Sequence, residues 1–339
     1  MTKEVLIVGG SSFIGFYTIK QFLANGYKVT VTTRNDKHDD YFKKIGVETV
    51  RFDLAKEETI HNLPKKAFES VILLGNLMPA NVTSATTDLK LNGAYISTNV
   101  LGHIHLLNYC KQQNISRMIS TTSYADTIHL WSNDKVIKES DGFCYSYSGD
   151  HSLYAIAKNT STDISTYYNQ EYGMKNVIFR FPPVYGVGPH TQLYDNGKLR
   201  KSGIALFIDL ALEGKDITVF GEDRFRDVVY VKDVANAFVQ ASQSKDAHGL
   251  YNIMSGKSIS LYEQAVVISE VFSGGRSKVM RNFDVPNNSK SYRYSIEKAQ
   301  KDLAYFPEYV DFKKMMSDYK KEMENEEILS FFNLQKQGE

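Results

Sequence analysis

The sequence predicts an α/β protein, a doubly wound parallel sheet followed by a smaller C-terminal lobe of mixed α/β structure. Three observations carry this. Short apolar, β-branched runs alternate with amphipathic stretches through the first half of the chain, the pattern of a parallel sheet covered on both faces. The first run leads straight into Gly9-Gly10-Ser11-Ser12-Phe13-Ile14-Gly15, a glycine turn that opens a helix. Beyond residue 184 the alternation gives way to a long polar loop and shorter mixed elements.

Strands are expected at 4–8, 28–33, 48–52, 70–74, 117–121 and 176–181. Between the first two, Phe13, Ile14, Tyr17, Thr18, Phe22 and Leu23 recur at helical spacing. That helix stops at Asn25-Gly26, a pair that tolerates the left-handed conformation, and completes one βαβ unit. A glycine turn after a buried strand and before a helix is where backbone amides and the helix dipole favour a phosphate, as in a Rossmann sheet. Ser12 stands where the middle glycine of such a turn is expected, and a small hydroxyl residue suits a helix start and a hydrogen bond to phosphate. Helices over 98–113 and 152–172 carry apolar stripes, including Ile104, Leu106, Leu107 and Tyr167, that suit packing on the sheet.

In the second half, a loop over 186–202 precedes helices at 204–213, 231–242, 260–272 and 295–303 and short strands at 218–220, 228–230 and 251–253. The end, 313–339, is rich in Lys and Glu and is expected to be a solvated terminal helix. The expected organisation is a dinucleotide-binding domain over 1–183, with returns from the second half, and a substrate lobe with terminal helix over 184–339.

Composition narrows the function. Forty basic residues face 39 acidic ones, net charge +1, without a basic run, so nucleic acid is not the expected partner. The two cysteines, Cys110 and Cys144, make no disulfide framework and lack metal-ligand spacing. No apolar run approaches a membrane span or a secretory leader, so a cytoplasmic protein without metal is expected.

Tyr154-Ala-Ile-Ala-Lys158 places a phenol and an ammonium one helical turn apart on one face. A neighbouring cation favours the phenolate and makes tyrosine, with an ordinary pKa of about 10, usable as a base near neutral pH. Ser123 lies at the end of an expected strand, at the sheet edge where substrates meet polar groups.

Together these segments resemble the extended short-chain dehydrogenase/reductase family of nucleotide-sugar epimerases, dehydratases and reductases. The resemblance rests on VGGSSFIG at Val8, Asp53-Leu54, TNVLGHIHLL at Thr98, SRMISTTS at Ser116, YAIAK at Tyr154, FRFPPVYG at Phe179 and VFGEDRFRDVVYVKDVANAF at Val219. It implies that Tyr154 is the acid/base, that Lys158 lowers its pKa and holds the nicotinamide ribose, and that Ser123 binds the reacting oxygen. Gly9, Ser11, Ser12, Phe13, Ile14 and Gly15 would surround the pyrophosphate, and Asp53 and Leu54 the adenine. Leu74, Gly75, Phe181 and Val184 would complete the cofactor site, and Asn99 would be structural; the resemblance also implies a homodimer through the helices over 98–113 and 152–172, whose apolar stripes packing on the sheet explains equally well. The substrate would meet Ser123, Tyr124 and Arg226, the last at its diphosphate; the alternative for Arg226 is a surface pair with Asp227 or Asp233.

The second strand ends Thr32-Thr33-Arg34-Asn35. An acid at the Thr33 position would bind a ribose diol, whereas threonine followed by the Arg34 guanidinium suits a 2'-phosphate, so NADP is favoured over NAD, which Asp36 on a shifted loop would serve. The family's dehydratases carry an acid pair beside the strand-end hydroxyl, and its 3,5-epimerase/reductases a cysteine; Thr122-Ser123-Tyr124-Ala125 has neither. What remains is a 4-epimerase or a 4-ketoreductase. Two departures bear on substrate: the family's RxxN element is Arg180-Phe181-Pro182-Pro183, and Ser295 replaces an aspartate in YSIEKA. The alternatives are a reductase of a non-nucleotide carbonyl and a catalytically silent, cofactor-sensing protein of the same fold.

Overall fold

Successive residues of strand β1 (Glu4–Val8) point to opposite sides of the central sheet, and both sides are covered, which is why the strand is apolar from Val5 to Val8. Val5 and Ile7 enter one hydrophobic cluster, Leu6 and Val8 another. The computed structural model describes residues 3–79, 88–144, 147–149, 151–195, 198–285 and 289–335. The sheet continues with β2 (Lys28–Thr33), β3 (Glu48–Arg51), β4 (Ser70–Leu73), β5 (Met118–Ser123), β6 (Val177–Phe181) and β7 (Gly249–Asn252). The seven strands are all parallel, in the order β7-β6-β5-β4-β1-β2-β3. Winding reverses between β1 and β4, and the crevice beyond those two strand ends is where such sheets bind ligands.

Helix α1 (Phe13–Ala24) covers the first face beside a helix from the second half of the chain. The next elements are α2 (Asp39–Lys44) and α3 (Lys90–Tyr95), which runs through wide π turns at Ile96–Leu101 into α4 (Gly102–Gln112). The helix expected from residue 98 therefore starts at Lys90. With α5 (Ser152–Tyr172), α4 covers the second face through Leu106, Leu107 and Tyr168. After α6 (Gly203–Leu212), the chain returns to the first face as α7 (Val231–Gln243), followed by β7.

The second lobe has its own core, in which α6, α8 (Leu261–Ile268) and the parallel strands Ile217–Phe220 and Val279–Asn282 meet. Ser260 and Glu263 form a reciprocal capping box that sets the start of α8. The expected strand at 228–230 is Val229–Tyr230, paired with Val184–Tyr185, and α9 (Glu297–Leu303) follows. The expected loop over 186–202 contains an antiparallel ribbon, Gln192–Asp195 with Lys198–Lys201.

The terminal segment differs most from expectation. It forms two helices, α10 (Phe312–Glu322) and α11 (Glu326–Phe332), and neither is simply solvated; residues 336–339 lie outside the described residues. Phe312, Met315 and Met316 are buried in the second lobe, and Ile328 and Phe331 in the main core. These apolar residues recur at helical spacing but are diluted by Lys and Glu, so the charge run hid an amphipathic face. The Phe331 ring lies 4.3 Å from His38, 4.7 Å from Phe16 and 4.8 Å from Tyr41, between centroids. Phe331→Ala is expected to destabilise the protein by about 3–5 kcal/mol, the cost of a buried phenyl cavity, measured by denaturant unfolding; a loss below about 1 kcal/mol would mean that α11 does not dock.

Candidate active site

The ends of β1, β4, β5 and β6 open into one cavity of about 230 Å³. Ser12, Phe13 and Ile14 line it on the β1 side and Leu74 beyond β4. Ser123 and Tyr124 line it beyond β5, Phe181 and Val184 beyond β6, and Tyr154 and Lys158 from α5.

Steric contact builds the turn. Gly9 has φ +88°, and a Cβ there would lie 2.6 Å from the Gly75 nitrogen. The Gly9 amide donates to Thr32 Oγ1 at 3.3 Å, and Ser11 continues the turn. Ser12 is the N-cap of α1, its Oγ accepting from the Gly15 amide at 3.1 Å. The Gly15 amide is thus occupied within the turn; Gly15 serves by close approach, since a Cβ on it would meet the Gly9 oxygen at 2.6 Å. The amides of Phe13 and Ile14, the first two of α1, are those a helix leaves without an internal partner. A backbone cradle too tight for side chains, at a helix N-terminus, fits a pyrophosphate.

At the other end, Thr33 closes β2 and is buried, and Arg34 is exposed just beyond it. Asp53 and Leu54 follow β3; the Asp53 carboxylate accepts from the Ala55 amide at 3.1 Å. Leu54 is buried under Gly102, where a Cβ would lie 2.3 Å from the Leu54 oxygen. The glycine of TNVLGHIHLL therefore lets α4 approach the loop expected to hold adenine. Asn99 holds the loop after β4 through both amide atoms, accepting from Leu77 N at 2.8 Å and donating to Leu77 O at 2.9 Å, a structural role.

Lys158 is buried, and its Nζ donates to Thr121 Oγ1 at 3.2 Å. Burial pushes its ammonium down to about 7. His103 shares that interior, with Nε2 2.7 Å from Ser165 Oγ; burial first, then the Lys158 charge, lower it to about 3. Tyr154 departs from expectation. Burial first, then Tyr95 and Asp126, raise its phenol above the ordinary value. The expected lowering by Lys158 is not seen, because burial dominates the surroundings of the phenol.

Ser123 is the last residue of β5, two beyond the expected strand end, and its Oγ accepts from the Ala125 amide at 3.2 Å. Beside it, Thr122 Oγ1 is buried with no hydrogen-bond partner among the described residues. Tyr124 stacks on Trp131 with ring centroids 5.4 Å apart and lies 5.1 Å from Tyr292. Arg226 does not line the cavity; its charge acts on Tyr124, Tyr185 and Tyr292, and its Nη2 donates to Ser289 Oγ at 3.0 Å. Neither Asp227 nor Asp233 is its partner. Asp227 accepts from the Ser258 hydroxyl and the Tyr294 amide, and Asp233 from the Glu308 and Tyr309 amides.

Sequence reasoning overlooked Thr121, Thr122, Asn76 and His190, all on the cavity wall; the hydroxyl run Ser120-Thr121-Thr122-Ser123 was the available signal for two of them. It also gave Arg180 no role. That side chain is fully buried, with Nε 3.0 Å from Asp126 and Nη1 3.1 Å from Asn252 Oδ1, and ties the segment after Ser123 to β6 and β7.

A model of the NAD dependent epimerase/dehydratase family matches residues 5–254, most of the chain and every element of this cavity. The chain belongs to that family. Its members are nicotinamide-dependent enzymes, and the glycine cradle and the Tyr154–Lys158 pair fit such a cofactor. The chain is 26% identical over 314 residues to a putative UDP-glucose 4-epimerase of Methanocaldococcus jannaschii, covering 91% of this chain and 94% of that protein. The fold matches UDP-glucose 4-epimerase of Thermotoga maritima with UDP-glucose at TM-score 0.73 and 21% identity, over 95% of this chain and 98% of that one. It also matches the Thermus thermophilus UDP-glucose 4-epimerase complex with NAD at TM-score 0.69 and 23% identity, over 93% of this chain and 98% of that one.

The family's lysine has a measurable consequence here. Between pH 7 and about 10 the unfolded chain carries a proton on Lys158 that the folded protein lacks, so this group makes stability rise with pH in that window. Lys158→Met is expected to remove up to about 1.4 kcal/mol per pH unit from the slope of unfolding free energy between pH 7.5 and 9.5; an unchanged slope would contradict the lowered pKa.

Proposed function

We propose that the protein acts at C4 of a nucleotide-activated sugar, as a 4-epimerase or a 4-ketoreductase, by hydride transfer with Tyr154 as acid and base. The observation that carries this reading is the convergence of Tyr154, Lys158 and the strand-end hydroxyls of β5 in the cavity onto which the glycine turn opens. A bound nicotinamide supplies or accepts the hydride. Tyr154 donates a proton to the ketone oxygen or takes one from the alcohol. Ser123 holds that oxygen, and the Thr122 hydroxyl, which has no described protein partner, is available to it as well.

Thr33 and Arg34 at the end of β2 favour NADP, the cofactor of an enzyme that exchanges it each turnover. This cofactor reading favours the reductase direction. The names of the relatives, which include UDP-glucose 4-epimerases, support a nucleotide sugar and the C4 position. The charge of Arg226 beside Tyr124 suits a substrate diphosphate approaching from that side. Exposed Leu101, Tyr167 and Tyr172 along the α4 and α5 region suit a homodimer.

Incubation with UDP-, GDP-, CDP- and dTDP-sugars separates the two reactions. A 4-epimer formed without net cofactor change identifies an epimerase, and NADPH consumed with a 4-keto sugar identifies a reductase. In either assay Tyr154→Phe is expected to lower kcat by about 10²-fold or more while leaving the Kd for cofactor unchanged. An unaltered kcat would remove Tyr154 from the mechanism.

A further inference from the structure

We infer that Arg51, the last residue of β3, is a second guanidinium that recognises the 2'-position of the adenosine ribose and, with Arg34, holds the 2'-phosphate of NADP. This rests on the NADP preference proposed above. Thr33 and Arg51 face one another in the register of β2 and β3. Arg51 Nη1 donates to Thr33 Oγ1 and Nη2 pairs with the Asp39 carboxylate at the start of α2. The end of β2 is where the adenosine ribose lies in a sheet of this order. A guanidinium therefore sits within hydrogen-bond reach of the very side chain whose position, in an NAD-binding sheet, carries the diol-binding acid.

Asp36 and Asp39 are the nearby acids that could serve a diol instead; Asp39 is engaged by Arg51, and the Asp36 charge also acts on that guanidinium. Arginine has five N–H groups in a planar fork, so bonds to Thr33 and Asp39 leave N–H groups for a phosphate. The Arg51 side chain is 42% exposed and reachable. Arg34 has no side-chain hydrogen bond or ion pair among the described residues. The Asp39 end is also held in place: Phe42 is buried, Tyr41 donates to Glu327 at 2.9 Å, and His38 stacks on Phe331. The fork is thus positioned before a ligand arrives, which favours discrimination over adaptation.

The test is fluorescence titration of the full-length chain with NADPH and NADH, for wild type, Arg51→Gln, Arg51→Lys, Asp39→Asn and Arg34→Gln, with thermal melts to confirm folding. The wild type is expected to prefer NADPH. Arg51→Gln is expected to weaken NADPH by about tenfold to a hundredfold with NADH changed by less than about twofold, and Arg51→Lys to recover only part of the loss because a point charge lacks the fork. Asp39→Asn breaks the same ion pair but keeps the guanidinium, so NADPH preference is expected to persist. If Asp39→Asn loses NADPH as Arg51→Gln does, Arg51 merely braces α2 and the inference is overturned. If Arg51→Gln keeps the preference and Arg34→Gln loses it, the inference is overturned while the NADP reading stands. A wild type that binds NADH as tightly as NADPH overturns the NADP reading itself.

Discussion

The close approach of two backbones at the winding reversal is the constraint on which the rest of the site depends. Gly9 and Gly75 lie just beyond β1 and β4, and a side chain on Gly9 would strike the Gly75 backbone. Because they touch, α1 starts at the floor of the crevice, its first amides unpaired and its N-cap supplied by Ser12. The serine in place of a glycine is therefore a working part of the turn: it takes the Gly15 amide and leaves those of Phe13 and Ile14 to a ligand. The same logic recurs at Gly102, where removal of a side chain lets a helix press on Leu54. The shape of the crevice is set by places where side chains are missing.

Around that floor the charged groups are few and desolvated. Lys158 is held by one threonine hydroxyl and sits at a pKa of about 7, and Tyr154 is pushed the other way. Arg180 and Asp126 form the compensating structural pair. Burial still pushes the Asp126 carboxyl up to about 6 against the pull of Arg180, so the pair organises the loop after Ser123 at an electrostatic cost. An interior of this kind amplifies any charge that enters it, which suits a reaction in which a proton and a hydride move between small groups.

Much of the fold was legible because local pattern and tertiary demand agree. Strands β1 and β2 and helix α5 fall where the apolar periodicity ends them, and the Tyr154–Lys158 spacing needs only helix geometry to bring both residues to one face. The C-terminal segment was misread because its apolar face is sparse and its charges dominate the composition. Arg51 and Thr122 were invisible for a different reason. A residue in the middle of a charged or hydroxyl-rich run acquires meaning only from the strand that pairs with it or the cavity it faces.

The sequence by itself determined the class of sheet, the glycine turn with its serine cap, and the residues able to carry proton transfer, since these depend on contacts within one βαβ unit or one helical turn. Tertiary structure alone decided that Lys158 loses water, that burial raises the Tyr154 phenol, and that Arg226 stands beside aromatic rings with Asp227 and Asp233 occupied elsewhere. It alone brought Arg51 to Thr33 and the last helix against the first. Those outcomes depend on burial and on distances between residues far apart in the chain, and neither quantity is contained in local spacing.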